Sequence, residues 1–168
     1  RKGLKASIIL KMNSLSDELL IDQLSEAAKA GVEIKLIVRG IFCMLTESNK
    51  FKVQPVAISI VDQYLEHSRV LIFHNNGKEK VYLSSADWMI RNLDHRIEAA
   101  VEITNKAIQE ELKECINIQL KDNVKARILD NNLQNAYVKR KGKTVRSQVE
   151  IYNFLHQKIL KQLETGRH

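Results

Sequence analysis

Residues 6–38 decide the fold. They begin Ala6-Ser7-Ile8-Ile9-Leu10-Lys11-Met12-Asn13-Ser14 and end Gly31-Val32-Glu33-Ile34-Lys35-Leu36-Ile37-Val38. The first apolar run predicts a buried strand that stops at Asn13-Ser14. Ser14 with Asp17 three residues on resembles a capping box, so a helix is expected from about Leu15 or Ser16. Leu20, Leu24, Ala27 and Ala28 fall on one face of that helix, and Gly31 is its expected C-terminal cap. Val32 to Val38 predicts a second strand. Strand, helix and strand within ~30 residues make a βαβ unit, whose crossover requires a parallel pair and an α/β fold.

In such sheets ligands sit beyond the carboxyl ends of the strands. Lys11 and Asn13 end the first strand and Arg39-Gly40 ends the second, so all four are expected on one rim. Gly40 would let the backbone approach closely there.

The rest of the chain extends this unit. Ile41 to Gln54 reads as an irregular connection with the functional potential of a long loop. Ile58, Val61, Tyr64 and Leu65 have helical spacing, so a short helix is expected over 57–65. His67-Ser68-Arg69 then opens a strand through Val70-Leu71-Ile72-Phe73, and Asn75-Asn76-Gly77 turns it into a hairpin with Val81-Tyr82-Leu83. Ser84 to Asn92 reads as a loop, and Arg96 to Ile103 as a further strand. A helix is expected from Lys106 to Leu120. Val124 to Leu129 is open between helix and strand, and Leu133 to Val138 is expected to be a short helix. Lys139-Arg140-Lys141-Gly142-Lys143 is a basic loop, either a solvated turn or a polyanion contact, before a last helix over 145–163. The fold class is α/β, a mixed sheet flanked by helices with a helical C-terminal part.

With 168 residues the chain is expected to form a single domain. Lys plus Arg number 27 against 20 for Asp plus Glu, a net charge of +7 that favours anionic partners without choosing among them. No apolar run approaches the ~20 residues of a membrane span. The start, Arg1-Lys2-Gly3-Leu4-Lys5, lacks the apolar core of a signal peptide and an initiator Met, so a piece of a longer chain is expected. Cys43 and Cys115 have neither metal-ligand spacing nor a disulfide framework, which fits free thiols in the cytoplasm.

The chemistry concentrates between Tyr64 and Glu98. A neutral imidazole at His67 can move one proton or attack phosphorus. Arg69, two residues on, points to the same side in a strand. A histidine beside a fixed cation suits phosphoryl chemistry, which depends on positioning and charge stabilisation. Ser84, Ser85 and Asp87 follow the neighbouring strand, with Arg91, Asp94 and Arg96 beyond. Arginines and loop hydroxyls bind phosphate oxygens. Arg91, Asp94 and Arg96 equally suit a structural ion-pair network, and carboxylates can hold phosphate-binding arginines in place. No Walker loop, Rossmann fingerprint or zinc motif is present.

Four segments carry a resemblance. They are Lys11-Met12-Asn13-Ser14-Leu15, Leu36-Ile37-Val38-Arg39-Gly40, Ser59 to Arg69 (Ser-Ile-Val-Asp-Gln-Tyr-Leu-Glu-His-Ser-Arg) and Ser84 to Arg96 (Ser-Ser-Ala-Asp-Trp-Met-Ile-Arg-Asn-Leu-Asp-His-Arg). Together they resemble the C-terminal domain of bacterial polyphosphate kinase, the long, histidine-phosphorylated type, and the likeness continues through Asp122-Asn123-Val124-Lys125-Ala126-Arg127. It implies one half of a phospholipase D-like pair, with His67-Ser68-Arg69 as a modified His-x-Lys motif and Ser84-Ser85-Ala86-Asp87 as a modified Gly-Ser-x-Asn motif. The histidine that becomes phosphorylated would lie on a preceding domain.

By this resemblance His67 is catalytic, as a second histidine for proton transfer or phosphoryl stabilisation. Arg39, His67, Arg69, Arg91 and Arg96 would contact ATP or its phosphates, supported by Lys11, Asn13, Ser84, Ser85, Asp87 and Asp94. Magnesium would accompany ATP or ADP. The implied partners are inorganic polyphosphate, ATP and preceding domains of the same polypeptide, in a full-length homo-oligomer with no specific nucleic acid. One region departs from the family: Cys43-Met44-Leu45-Thr46-Glu47 and Phe51-Lys52-Val53-Gln54-Pro55 are unusual, so the loop over the site is expected to differ in shape. Two other readings use the same residues: a phospholipase D-like phosphodiesterase or nuclease that pairs two copies, and a non-catalytic polyanion-binding module.

Overall fold

The computed structural model describes residues 4–165, so the basic start Arg1-Lys2-Gly3 lies outside the described residues. Seven strands form one mixed sheet: β1 (Ser7–Met12), β2 (Glu33–Val38), β3 (Val56–Ile60), β4 (Arg69–Phe73), β5 (Lys80–Ser84), β6 (Ala100–Glu102) and β7 (Ala126–Ile128). Their order is β6-β5-β4-β1-β2-β3-β7. β1, β2 and β3 run parallel, and the other pairs are antiparallel.

The expected βαβ unit is present. Its helix, α1 (Glu18–Ala30), starts later than the sequence suggested. The cap is Asp17, which accepts from the Leu20 amide at 3.0 Å, while Leu15 is held by bridges to Phe42 and Trp88. Gly31 closes the helix as expected, with φ 95°.

The two sheet faces carry separate cores because side chains alternate along each strand. Leu10, Met12, Ile34, Leu36, Val38 and Ala57 face Leu24 and Ala28 of α1. Ile37, Ile58, Ile60, Val70, Ile72 and Val81 pack with Ile116 of α3 (Lys106–Leu120), the helix expected at those bounds. Helix α4 (Ser147–Thr165) packs on α3.

Three expectations are corrected. Residues 56–60 form strand β3, not a helix, because a strand buried on both faces shows no alternation. Residues 133–138 are not helical: Leu133 and Asn135 have φ of 52° and 53°, and Tyr137 bridges to Arg127. The connection over 41–55 does not lie across the site. Phe42, Met44 and Phe51 pack on the α1-side core, so it is the β2–β3 crossover, and its first residues, Ile41 and Cys43, bond the Leu15 backbone beside the rim. The open stretch at 124–129 resolves as β7 at the sheet edge.

Asp122 ties the C-terminal part together. It is fully buried, and its carboxylate accepts from the amides of Val124, Lys125 and Ala126, at 2.7–3.0 Å, and of Ser147 at 2.7 Å. Burial pushes its pKa up, but these bonds outweigh burial and hold it below the ordinary aspartate value. Helix α4 therefore starts from a fixed point beside the end of α3.

Candidate active site at the strand rim

The strand ends bring the predicted rim residues together. Arg39 Nε donates to Asn13 Oδ1 at 3.1 Å. The Gly40 amide donates to Asn13 O at 2.7 Å, and a Cβ on Gly40 would lie 3.0 Å from that oxygen, so glycine permits the approach. Lys11, 5% exposed, donates to the Ser68 hydroxyl at 2.9 Å and carbonyl at 3.1 Å, and pairs with Glu66 at 3.5 Å. Burial pushes Lys11 below its ordinary pKa; Glu66 opposes this, while Arg39 and Arg69 add to it.

His67 is exposed, just ahead of β4. Arg69 Nη2 lies 3.1 Å from its Nε2. A guanidinium only donates, so Nε2 is the acceptor and a neutral ring carries its proton on Nδ1. Arg69 also donates through Nη1 to the His67 carbonyl at 3.2 Å, and through Nε and Nη2 to both oxygens of Asp87 at 3.0 Å. Every nitrogen of this guanidinium is thus engaged inside the protein. Asp87 in turn accepts from the amides of Asn13 at 2.7 Å and Ser14 at 3.2 Å. Burial would raise its pKa, but Arg69 and these amides hold it below the ordinary value.

The serine loop braces itself. Ser84 Oγ accepts from the Ala86 amide at 3.1 Å. Ser85 donates to Glu98, which also accepts from Asn92 Nδ2 at 2.7 Å. Those two bonds lower the pKa of Glu98, with Arg96 and Arg69 adding to the effect. Arg91 on the short helix α2 (Ile90–Leu93), and Asp94 and Arg96 after it, are exposed. Among the described residues no ion pair joins these three, so the structural network considered for them does not form.

A second set of residues was not singled out from the sequence. Arg146 pairs with Asp62 through two bonds, 2.7 and 2.8 Å. Gln148 Oε1 accepts from the Tyr64 amide at 3.0 Å, and its Nε2 donates to the Tyr64 carbonyl at 2.8 Å and to Glu66 at 3.1 Å. Gln119 donates to Glu66. These contacts cross 53–84 residues of sequence and hold the segment that carries His67. Asp62, Tyr64 and Glu66 lie in the segment over 59–69 that carries the resemblance, whereas Gln119, Arg146 and Gln148 have no such signal.

The rim is open. A cleft of about 10 Å³ lies among Lys11, Met12, Ile37, Arg39, Ile60 and Glu66. A much larger cavity, about 810 Å³, lies away from His67, beside Thr46, Val56, Ile128 and Asn131. It lacks the histidine, the Lys11–Arg39 cluster and the carboxyl ends of the parallel strands β1, β2 and β3, so the chemistry belongs to the open rim. Among the described residues no group of three or more His, Cys, Asp or Glu is placed to hold a metal ion. Cys43 and Cys115 are free thiols, and no described helix is long and apolar enough to cross a membrane.

The family model described as polyphosphate kinase C-terminal domain 2 matches residues 1–148. The chain is 44% identical over 165 residues to polyphosphate kinase of Escherichia coli (strain K12), covering 98% of this chain and 24% of that protein. It is 44% identical over 156 residues to that of Klebsiella pneumoniae, covering 92% and 23%. The crystal structure of polyphosphate kinase from Porphyromonas gingivalis matches with a TM-score of 0.90 and 45% identity, covering 94% of this chain and 24% of that one. The phospholipase D family member Nuc from Salmonella typhimurium, at 18% identity and a TM-score of 0.57 over 77% of this chain and 85% of that one, shares the fold alone. The chain thus spans about a quarter of the length of the curated relatives it matches. On sequence and structure alike, it belongs to the polyphosphate kinase C-terminal domain family.

Proposed function

We propose that this chain supplies one half of the active site of a polyphosphate kinase, which reversibly transfers the ATP γ-phosphate to inorganic polyphosphate. The observation that carries the proposal is the exposed His67, held by a buried Arg69–Asp87 pair on an open rim beside Lys11 and Arg39. An open, cationic rim suits a site completed by another surface, and the preceding domains of the same polypeptide are the fitting partner. Arg39, Arg91 and Arg96 are the arginines available for phosphate oxygens. Arg69 acts by holding His67 rather than by reaching the substrate.

In the transfer, the bond between the γ-phosphorus and the β–γ bridging oxygen breaks and ADP leaves. The phosphoryl group passes to the histidine of a preceding domain and then to a terminal oxygen of polyphosphate. His67, donating a hydrogen bond from Nδ1–H, steadies charge on the phosphate oxygens as the bond to the leaving oxygen breaks. Magnesium would arrive on the nucleotide, since the described residues offer it no ligand cluster. A cytoplasmic, self-associating, histidine-phosphorylated full-length enzyme is part of the same proposal.

The test is an assay of the full-length parent with ATP, magnesium and polyphosphate. ATP-dependent lengthening of polyphosphate is expected. Cleavage of a generic phosphodiester without ATP, in place of that activity, would favour the phospholipase D-like reading and overturn this one. The 168-residue chain by itself is expected to make no polyphosphate.

A further inference from the structure

We infer that the joint between α3 and α4 positions His67, with Gln148 and Gln119 as positioning residues. The segment over 61–68 connects two strands and has no regular structure of its own. It is fixed by side chains that come from one place. Arg146 grips Asp62 with two bonds, and Gln148 binds both backbone groups of Tyr64. Gln148 and Gln119 converge on Glu66, the residue before His67. Asp122 locks that source, because the same carboxylate receives the Ser147 amide and three amides after α3. Asn123 adds a second tie, its Oδ1 accepting from the Val145 amide at 2.7 Å.

Glu66 is the point where this reaches the site. It meets Gln119 and Gln148 on one side and Lys11 on the other, and Lys11 bonds Ser68. The residues on both sides of His67 are thereby fixed, one through the helices and one through β1. A small displacement of a catalytic group costs much of its rate enhancement, so this anchoring belongs to catalysis. The Gln148 contacts with Tyr64 are exposed, and water can replace them when Gln148 is lost. Their removal therefore costs position rather than folding.

This inference rests on the reading of His67 as the working residue, and the experiment separates the two. In the full-length parent, Gln148→Met keeps side-chain length and helix propensity but cannot make the three bonds. We expect kcat to fall about ten-fold or more while KM for ATP stays within about two-fold. Amide hydrogen exchange should quicken over 61–68 and stay slow in β1 and β2. An unchanged kcat, a change confined to KM, or a loss of kcat matched by faster exchange throughout the sheet would each overturn the inference. His67→Ala is assayed alongside. If it is inactive while Gln148→Met turns over normally, the inference alone falls; if His67→Ala turns over normally, the reading falls and takes the inference with it.

Discussion

On the hairpin side of His67, Arg69 and Asp87 form a charge pair with 9% and 8% of their side-chain surface exposed. On the helix side, Asp62 and Glu66 are held by Arg146, Gln148 and Gln119 through contacts that are part-buried or exposed. The hairpin clamp reaches the ring itself, at Nε2. The helix clamp reaches the backbone that carries the ring. The first is built into the core, so it cannot be removed without disturbing the fold. The second also contains buried side chains, those of Asp62 and Gln119, but its Gln148 contacts with Tyr64 are exposed and can be loosened by themselves. The difference separates two tasks, orienting the imidazole and placing its backbone.

The largest effect is expected from Asp87→Ala. It leaves the Arg69 charge buried and unpaired and strips the acceptor from the Asn13 and Ser14 amides, which should cost about 3–5 kcal/mol of stability in a denaturant titration. A loss below about 1 kcal/mol would show the pair to be solvated and erase the contrast. Arg69→Lys comes next. It keeps the charge but not the fork that spans Asp87 and His67, and should lower kcat of the full-length enzyme by roughly a hundred-fold if the ring moves by about 1 Å. The helix clamp follows with Gln148→Met and its smaller, roughly ten-fold effect.

The smallest effect concerns pH. Asp122 has a folded pKa below its ordinary value, so the folded state binds fewer protons than the unfolded state through the carboxylate range. Its contribution is fully present above the unfolded pKa and is lost as pH falls through the depressed folded value. Asp122→Asn should flatten the acid side of the stability curve by at most about 1.4 kcal/mol per pH unit. Unfolding midpoints of both proteins from neutral pH into the acid range would measure it, and parallel curves would contradict the assignment. Asp87 titrates with the same sign, so some acid sensitivity should persist in Asp122→Asn.

The sequence was most legible where physics is local. The two apolar runs, Gly31 and the Asn75-Asn76-Gly77 turn set β1, β2 and the β4–β5 hairpin without knowledge of the rest. The misread residues 57–65 show the opposite case. Ile58, Val61, Tyr64 and Leu65 mimic a helical stripe, yet Ile58 lies in β3 between two packed faces, and burial there comes from neighbours far away in sequence. The site divides the same way. His67, Arg39 and Lys11 were visible as ionisable groups at strand ends. Arg69 was visible too, but its inward role depends on Asp87 across the hairpin. Gln119 and Gln148 gave no signal, because an uncharged amide in a helix acquires meaning only from the partner it meets. Gln148 meets Glu66 at a separation of 82 residues.

The most direct test of the account is His67→Ala in the full-length enzyme, measured as ATP-dependent polyphosphate synthesis together with the unfolding midpoint. His67 is exposed and contacts Arg69 from outside the core, so the fold should survive with its midpoint within about 2 °C of wild type. Turnover should fall by roughly a thousand-fold, the scale expected when a charge-stabilising hydrogen-bond donor is removed. Wild-type turnover in a folded His67→Ala enzyme would contradict the account.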